Sequence, residues 1–245
     1  MTIALEKETE QAAQSETKVK AQIWSNSERW RRLGAEAVGT FTIVFAAGGA
    51  TVASQLTGVQ LGLLGAAFAS GLAVTAMIYA LGHICGAHFN PAVTLAFSLV
   101  RHFPIKEVPG YILAQLGGAC LAASLLRLLY GDIAHLGANI PSQGAVQSLI
   151  LEIVISFFLM FVIMAVATDS RAVGQAAALA IGLTVTFAIL VAGPISGGSM
   201  NPARSFGPAL LSWTWQDQWV YWLGPIIGAP LGGLVYQLLR GDERS

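Results

Sequence analysis

GHICGAHFNPAVT at residues 82–94 and SGGSMNPARSFGPA at residues 196–209 share one triplet, Asn90-Pro91-Ala92 in the first and Asn201-Pro202-Ala203 in the second. Asn is a preferred helix N-cap, and Pro suits the first helical position, where its missing N–H would have had no partner anyway. Each triplet therefore opens a helix. The first runs from Pro91 to about Val100, where Arg101, His102 and Pro104 close it; the second runs from Pro202 to about Leu211, with Pro208 expected to distort it locally. A helix of about ten residues covers about 15 Å, half of a hydrocarbon core of about 30 Å, so neither can cross a bilayer. A helix that starts at mid-membrane must be sheltered by protein or by a water-filled cavity. Two such starts imply a shared lumen.

The rest of the chain supplies the membrane context. Of 245 residues 55% are hydrophobic and 11% charged, and the mean hydropathy is +0.65. Such a composition belongs to an integral membrane protein. Full spans are read at 33–55, 60–82, 108–130, 147–168, 174–193 and 218–239, with the half-length segments after the second and the fifth. Six spans place every Lys and Arg except Arg127, at a helix end, and Arg204, in the second half-helix, on one side. By the positive-inside rule both termini are then cytoplasmic, in an inner or plasma membrane. The zero net charge points to no nucleic-acid partner. The division is a cytoplasmic tail over 1–32, a channel domain over 33–240 and a short cytoplasmic tail over 241–245. The first 28 residues hold five Glu, three Lys and no apolar core, which does not read as a cleavable signal.

The two halves echo each other over about 33–130 and 147–240. Glu36 in AEAVGTFTIVF matches Glu152 in LEIVISFFLMF, each in the first span of its half. Three spans per unit put the second copy into the membrane in the opposite sense, so the half-helices meet tip to tip. A buried carboxylate facing a re-entrant loop can accept several of its free N–H groups, so Glu36 and Glu152 are read as loop braces rather than proton carriers. Gly224, Gly228 and Gly232 read as a packing face of the last span.

Two helix N-termini, each with about half a positive charge, repel cations and protons, so the lumen should pass neutral molecules. The amides of Asn90 and Asn201 would donate to a passing oxygen. The carbonyls of Gly86, Ala87, His88, Phe89, Gly197, Ser199 and Met200 would accept. Arg204, one turn into the second half-helix, needs water or a carbonyl cage and is assigned to the constriction. His83, Cys85 and His88 are one ligand short of a zinc site, so no metal is assigned and His88 is read as bracing the loop. Cys85 and Cys120 read as small buried hydrophobes. Trp213, Trp215, Trp219, Tyr221 and Trp222 read as an interfacial aromatic belt. No nucleophile with an adjacent base and no cofactor loop is present, so neither an enzyme nor a cofactor is expected.

The two loop sequences resemble the signatures of the aquaporin, or major intrinsic protein, family, and the similarity covers about residues 33 to 240. The resemblance implies an all-α membrane fold: a right-handed bundle of six transmembrane helices and two re-entrant half-helices, in a homotetramer with one pore per subunit. It also places a four-residue selectivity filter at Ser70, Ile189, Gly198 and Arg204. Water-selective members carry Phe and His at the first two positions; this chain has neither. The small-Ile-Gly-Arg filter and GPISGGSMNPARS (193–205) resemble the nodulin-like intrinsic proteins and their bacterial relatives, although Ser70 departs from the usual Ala or Gly. Ser205, where glycerol facilitators carry Asp, and Ala209, Tyr221 and Trp222 look aquaporin-like. The expectation is a passive channel for uncharged hydroxylated solutes: boric, silicic or arsenious acid, glycerol, urea and some water. The alternatives are an orthodox water-selective aquaporin and, from another class, an ion-coupled secondary transporter.

Overall fold

The structure, a computed structural model, describes residues 24–57, 62–172 and 174–241. These hold eight α-helices: α1 (Asn26–Thr57), α2 (Gly62–Cys85), α3 (Pro91–Leu99), α4 (Val108–Tyr130), α5 (Ala145–Thr168), α6 (Ala177–Ser196), α7 (Pro202–Ser212) and α8 (Val220–Arg240). Six are long and apolar enough to cross a membrane, while α3 and α7 have 9 and 11 residues. The helix α7 continues through Pro208 to Ser212.

The first span starts earlier than its hydropathy indicates. Residues 26–32, assigned above to the tail, are the first turns of α1, and residues 1–23 of that tail lie outside the described residues. A capping box explains the early start: Ser25 N–H donates to Glu28 Oε2 at 3.0 Å, and Glu28 N–H donates to Ser25 Oγ at 3.3 Å. Just before it, Trp24 is buried against Phe103 and Tyr111, with the Arg32 guanidinium 4.2 Å from its ring centre.

Packing repeats in the two halves. In the first, α1 packs on α2 and α4; in the second, α5 packs on α6 and α8; α2 and α6 meet between them. The half-helices are exchanged, α3 lying on α8 and α7 on α4. Glycines set the closest approaches. A Cβ at Gly228 or Gly232 of α8 would fall on the Ile153 or Phe157 carbonyl oxygen of α5, and a Cβ at Gly118 of α4 on the Ala37 carbonyl oxygen of α1. Small residues substitute here for a hydrophobic driving force that lipid cannot provide between helices. Outward-facing side chains are apolar, as at Leu72, Leu121 and Leu183, which suits a lipid surround.

The half-helices are capped at their far ends by the opposite repeat. Arg127 of α4 donates through Nη1 to the Leu211 carbonyl at the end of α7, and Gln237 of α8 donates to the Val100 carbonyl at 3.1 Å at the end of α3. On the face that carries Arg101 and Arg240, Asp169 pairs with Arg171 at 2.7 Å and accepts from Tyr236 Oη at 2.8 Å. These partners hold the Asp169 carboxyl well below the usual carboxylate range.

Candidate pore and constriction

Each re-entrant loop is a short non-helical stretch, and each is held by one carboxylate. Glu36 accepts from His88 N–H at 2.9 Å, Phe89 N–H at 2.7 Å and Gln115 Nε2 at 2.8 Å. Glu152 accepts from Ser199 N–H at 2.8 Å, Met200 N–H at 2.7 Å and Ser196 Oγ at 2.8 Å. Both carboxylates are fully buried. The loops bend through left-handed residues, Ala87 and Phe89 in one and Gly197, Gly198 and Met200 in the other. Such backbone persists where its surroundings over-determine it, here by two N–H groups fixed on each carboxylate.

The triplets form the expected caps. Asn90 Oδ1 accepts from Ala92 N–H at 2.9 Å, and Asn201 Oδ1 accepts from Ala203 N–H at 3.0 Å and Arg204 N–H at 3.3 Å. Pro91 and Pro202 follow directly, and Ala92 and Ala203 are completely buried. Each Asn also reaches the other loop, Asn90 Nδ2 donating to Met200 O at 2.7 Å and Asn201 Nδ2 to Phe89 O at 2.8 Å. One N–H of each amide is thereby used, leaving its second N–H for the lumen.

A single cavity brings the sequence-derived residues together. It runs from Ala167 and Ala177, at the Arg101 and Arg240 end, past Asn90 and Asn201 to Ser70, Ile189, Gly198 and Arg204. Gly86, Ala87, His88 and Phe89 line it from one loop, and Ser199 and Met200 from the other; the facing wall is aliphatic, with Val74, Val185 and Leu159. Gly197 is not in the lining. It caps α6, and a Cβ there would lie 2.5 Å from the Asn139 amide nitrogen. Gly198 approaches Ile189 so closely that a Cβ would stand 2.9 Å from its Cα. The hydroxyl proton of Ser70 is donated to Ala66 O at 2.7 Å, so toward the lumen Ser70 offers only lone pairs.

Arg204 donates through Nη1 to Gly137 O at 2.9 Å and to Asn139 Oδ1. This is the carbonyl cage that its charge requires, supplied by the α4–α5 connection, which sequence reasoning did not assign to the site. His88 bonds Thr94 Oγ1 through Nδ1 at 3.1 Å and packs among Phe97, Phe103 and Tyr111. His83 is exposed while Cys85 and His88 are buried, and no three metal-ligating side chains converge among the described residues. Tyr221 is not part of an aromatic belt. It is fully buried and donates to Ser196 O at 2.7 Å, as Tyr111 does to Cys85 O at 2.8 Å. Both tyrosines sit at the same spacing before a packing glycine, Gly118 and Gly228, a repeat signal present in the sequence.

Six spans, two half-helices meeting tip to tip and a lined cavity through their junction define a membrane channel of inverted-repeat design. The chain belongs to the major intrinsic protein family, which it matches over residues 23–236. It is 50% identical over 211 residues to Aquaporin NIP1-1 of Oryza sativa subsp. japonica, covering 86% of this chain and 74% of that protein. It is 44% identical over 215 residues to Nodulin-26 of Glycine max, covering 87% and 79%. The aquaglyceroporin of Plasmodium falciparum superposes with a TM-score of 0.76 at 26% identity, over 86% of this chain and 95% of that one. The protein is therefore a passive channel of this family and not an enzyme.

Proposed function

We propose that the channel conducts small uncharged hydroxylated solutes, namely metalloid acids such as boric, silicic or arsenious acid, together with glycerol, urea and some water, and excludes ions and protons. The observation that carries this reading is the make-up of the constriction. Ser70, Ile189, Gly198 and Arg204 line one end of the cavity, and none but Arg204 is bulkier than Ile. An aliphatic wall at Ile189 faces donors on Arg204 and an acceptor on Ser70, which matches a compact solute with hydroxyls on one flank. Phe89 and Met200 each give one carbonyl lone pair to an Asn and keep the second for the solute. The N-termini of α3 and α7, with about half a positive charge each, oppose cations. The likeness to an aquaglyceroporin agrees with a wide aperture.

In this reading both termini are cytoplasmic in the inner or plasma membrane, because Arg101, Arg171 and Arg240 share one face. The assembly is a homotetramer with a pore in each subunit. The test is equilibration: glycerol and boric acid enter reconstituted vesicles until inside and outside concentrations match, whether or not a proton or sodium gradient is imposed. Accumulation above the outside concentration would overturn the reading in favour of an ion-coupled transporter.

A further inference from the structure

The connection between α4 and α5 is built against its own backbone preference. Ala134, His135 and Leu136 are consecutive non-glycine residues with φ of 52°, 48° and 56°, a conformation that L-residues adopt singly and at a cost. The turn is held by packing, since Leu136 is completely buried and its carbonyl would lie 2.6 Å from a Cβ at Gly48. Further along, Ser142 N–H and Oγ donate to Ile195 O at 2.9 Å and Pro194 O at 2.6 Å, and Gln218 Nε2 donates to Asn139 O at 3.3 Å. Tied at both ends, the connection delivers Gly137 and Asn139 over the first turn of α7.

Asn139 is 3% exposed, and its Oδ1 accepts from two donors of α7, Arg204 Nη1 and Ser205 Oγ, the latter at 2.9 Å. Among the described residues, Arg204 Nε and Nη2 find no protein acceptor and remain available to the cavity that Arg204 lines. One nitrogen is thus fastened to the wall and the others are presented to the lumen. We propose that Asn139 is a positioning residue for the constriction: it holds the Arg204 guanidinium against the wall and so keeps the aperture wide enough for hydroxylated solutes. This rests on the assignment of Arg204 to the constriction made above.

Without the Asn139 oxygen, Arg204 keeps Gly137 O on the wall side. On the lumen side stands Ser70 Oγ, whose lone pairs are free because its proton is given to Ala66. A guanidinium that leans toward Ser70 narrows the passage for a three-carbon polyol far more than for water. Losing one charge-assisted hydrogen bond shifts such an orientational balance by about tenfold.

The test compares wild type, Asn139→Ala and Asn139→Asp in reconstituted vesicles, reading glycerol and water permeability in the same preparation. Their ratio does not depend on how many channels folded, so a merely structural role would leave it unchanged. The ratio is expected to fall about threefold or more in Asn139→Ala. It should stay at the wild-type value in Asn139→Asp, which keeps an acceptor for both Arg204 and Ser205. If Asn139→Ala does not enter vesicles, Asn139→Ser makes the same comparison, its hydroxyl being too short to reach Nη1. An unchanged ratio in Ala or Ser, or a fall in Asp equal to that in Ala, would overturn the inference alone. Absence of glycerol flux in the wild type would overturn the solute reading and this inference with it.

Discussion

Asn90 and Asn201 lock each other's loops across the middle of the channel: each amide nitrogen donates to the carbonyl directly preceding the other asparagine, at 2.7 Å and 2.8 Å. Each Asn is also the cap of its own half-helix, so one side chain fixes a helix start and the opposing loop together. Asn201→Ala should cost about 2 kcal/mol, combining a lost cap with a lost buried hydrogen bond. Because the two loops share these contacts, thermal unfolding of Asn90→Ala, Asn201→Ala and the double variant should depart from additivity by more than about 0.5 kcal/mol. Simple addition would show that the loops are independent.

Glu152→Gln tests the brace. Ser196 Oγ, Ser199 N–H and Met200 N–H all donate to Glu152. An amide has one oxygen and turns its NH2 toward a donor, leaving a buried N–H unsatisfied at about 1–3 kcal/mol. The expected outcome is a melting temperature lower by several degrees, with water and solute flux per channel falling together. A variant of unchanged stability whose solute uptake loses a dependence on pH gradient would mark Glu152 as a coupling site.

Ser70→Phe combined with Ile189→His puts two rings into the proposed constriction, where a hydroxymethyl group and an aliphatic chain now line the cavity. Stopped-flow swelling should show glycerol and boric acid flux suppressed while water flux persists. Equal solute flux in a correctly folded double variant would place the filter elsewhere.

Two glycines offer a paired measurement of packing. Gly228 faces the Ile153 backbone with no room for a methyl group, whereas a Cβ at Gly34 would meet nothing within 4 Å. Gly228→Ala should destabilise by about 1–3 kcal/mol through overpacking, and Gly34→Ala should be neutral or stabilise by about 0.5–1 kcal/mol through helix propensity. Reversal of this order in thermal unfolding would contradict the α5–α8 contact.

The architecture was legible because the decisive features are local. Asn-Pro caps a helix wherever it falls, and hydropathy marks a span without knowledge of its neighbours. Duplication then carried the braces, since Glu36 and Glu152 occur in matching segments. The α4–α5 connection was not legible, because a Gly carbonyl and an Asn reaching an Arg some sixty residues later leave no periodic trace. The aromatic run near Trp219 misled for a related reason: composition groups Tyr221 with the tryptophans, but helix phase turns Tyr221 into the protein while Trp219 stays about half exposed. The start of α1 was hidden by charge, since Arg29, Arg31 and Arg32 lower the hydropathy of its first turns even though Ser25 and Glu28 spell a cap.

The most direct test of the central claim is stopped-flow light scattering on reconstituted vesicles under parallel water, glycerol and boric acid gradients. The proposed filter of Ser70, Ile189, Gly198 and Arg204 predicts glycerol and boric acid entry well above that of protein-free vesicles, alongside measurable water flux. Rapid water flux with solute entry no faster than in protein-free vesicles would contradict it and leave a water-selective channel.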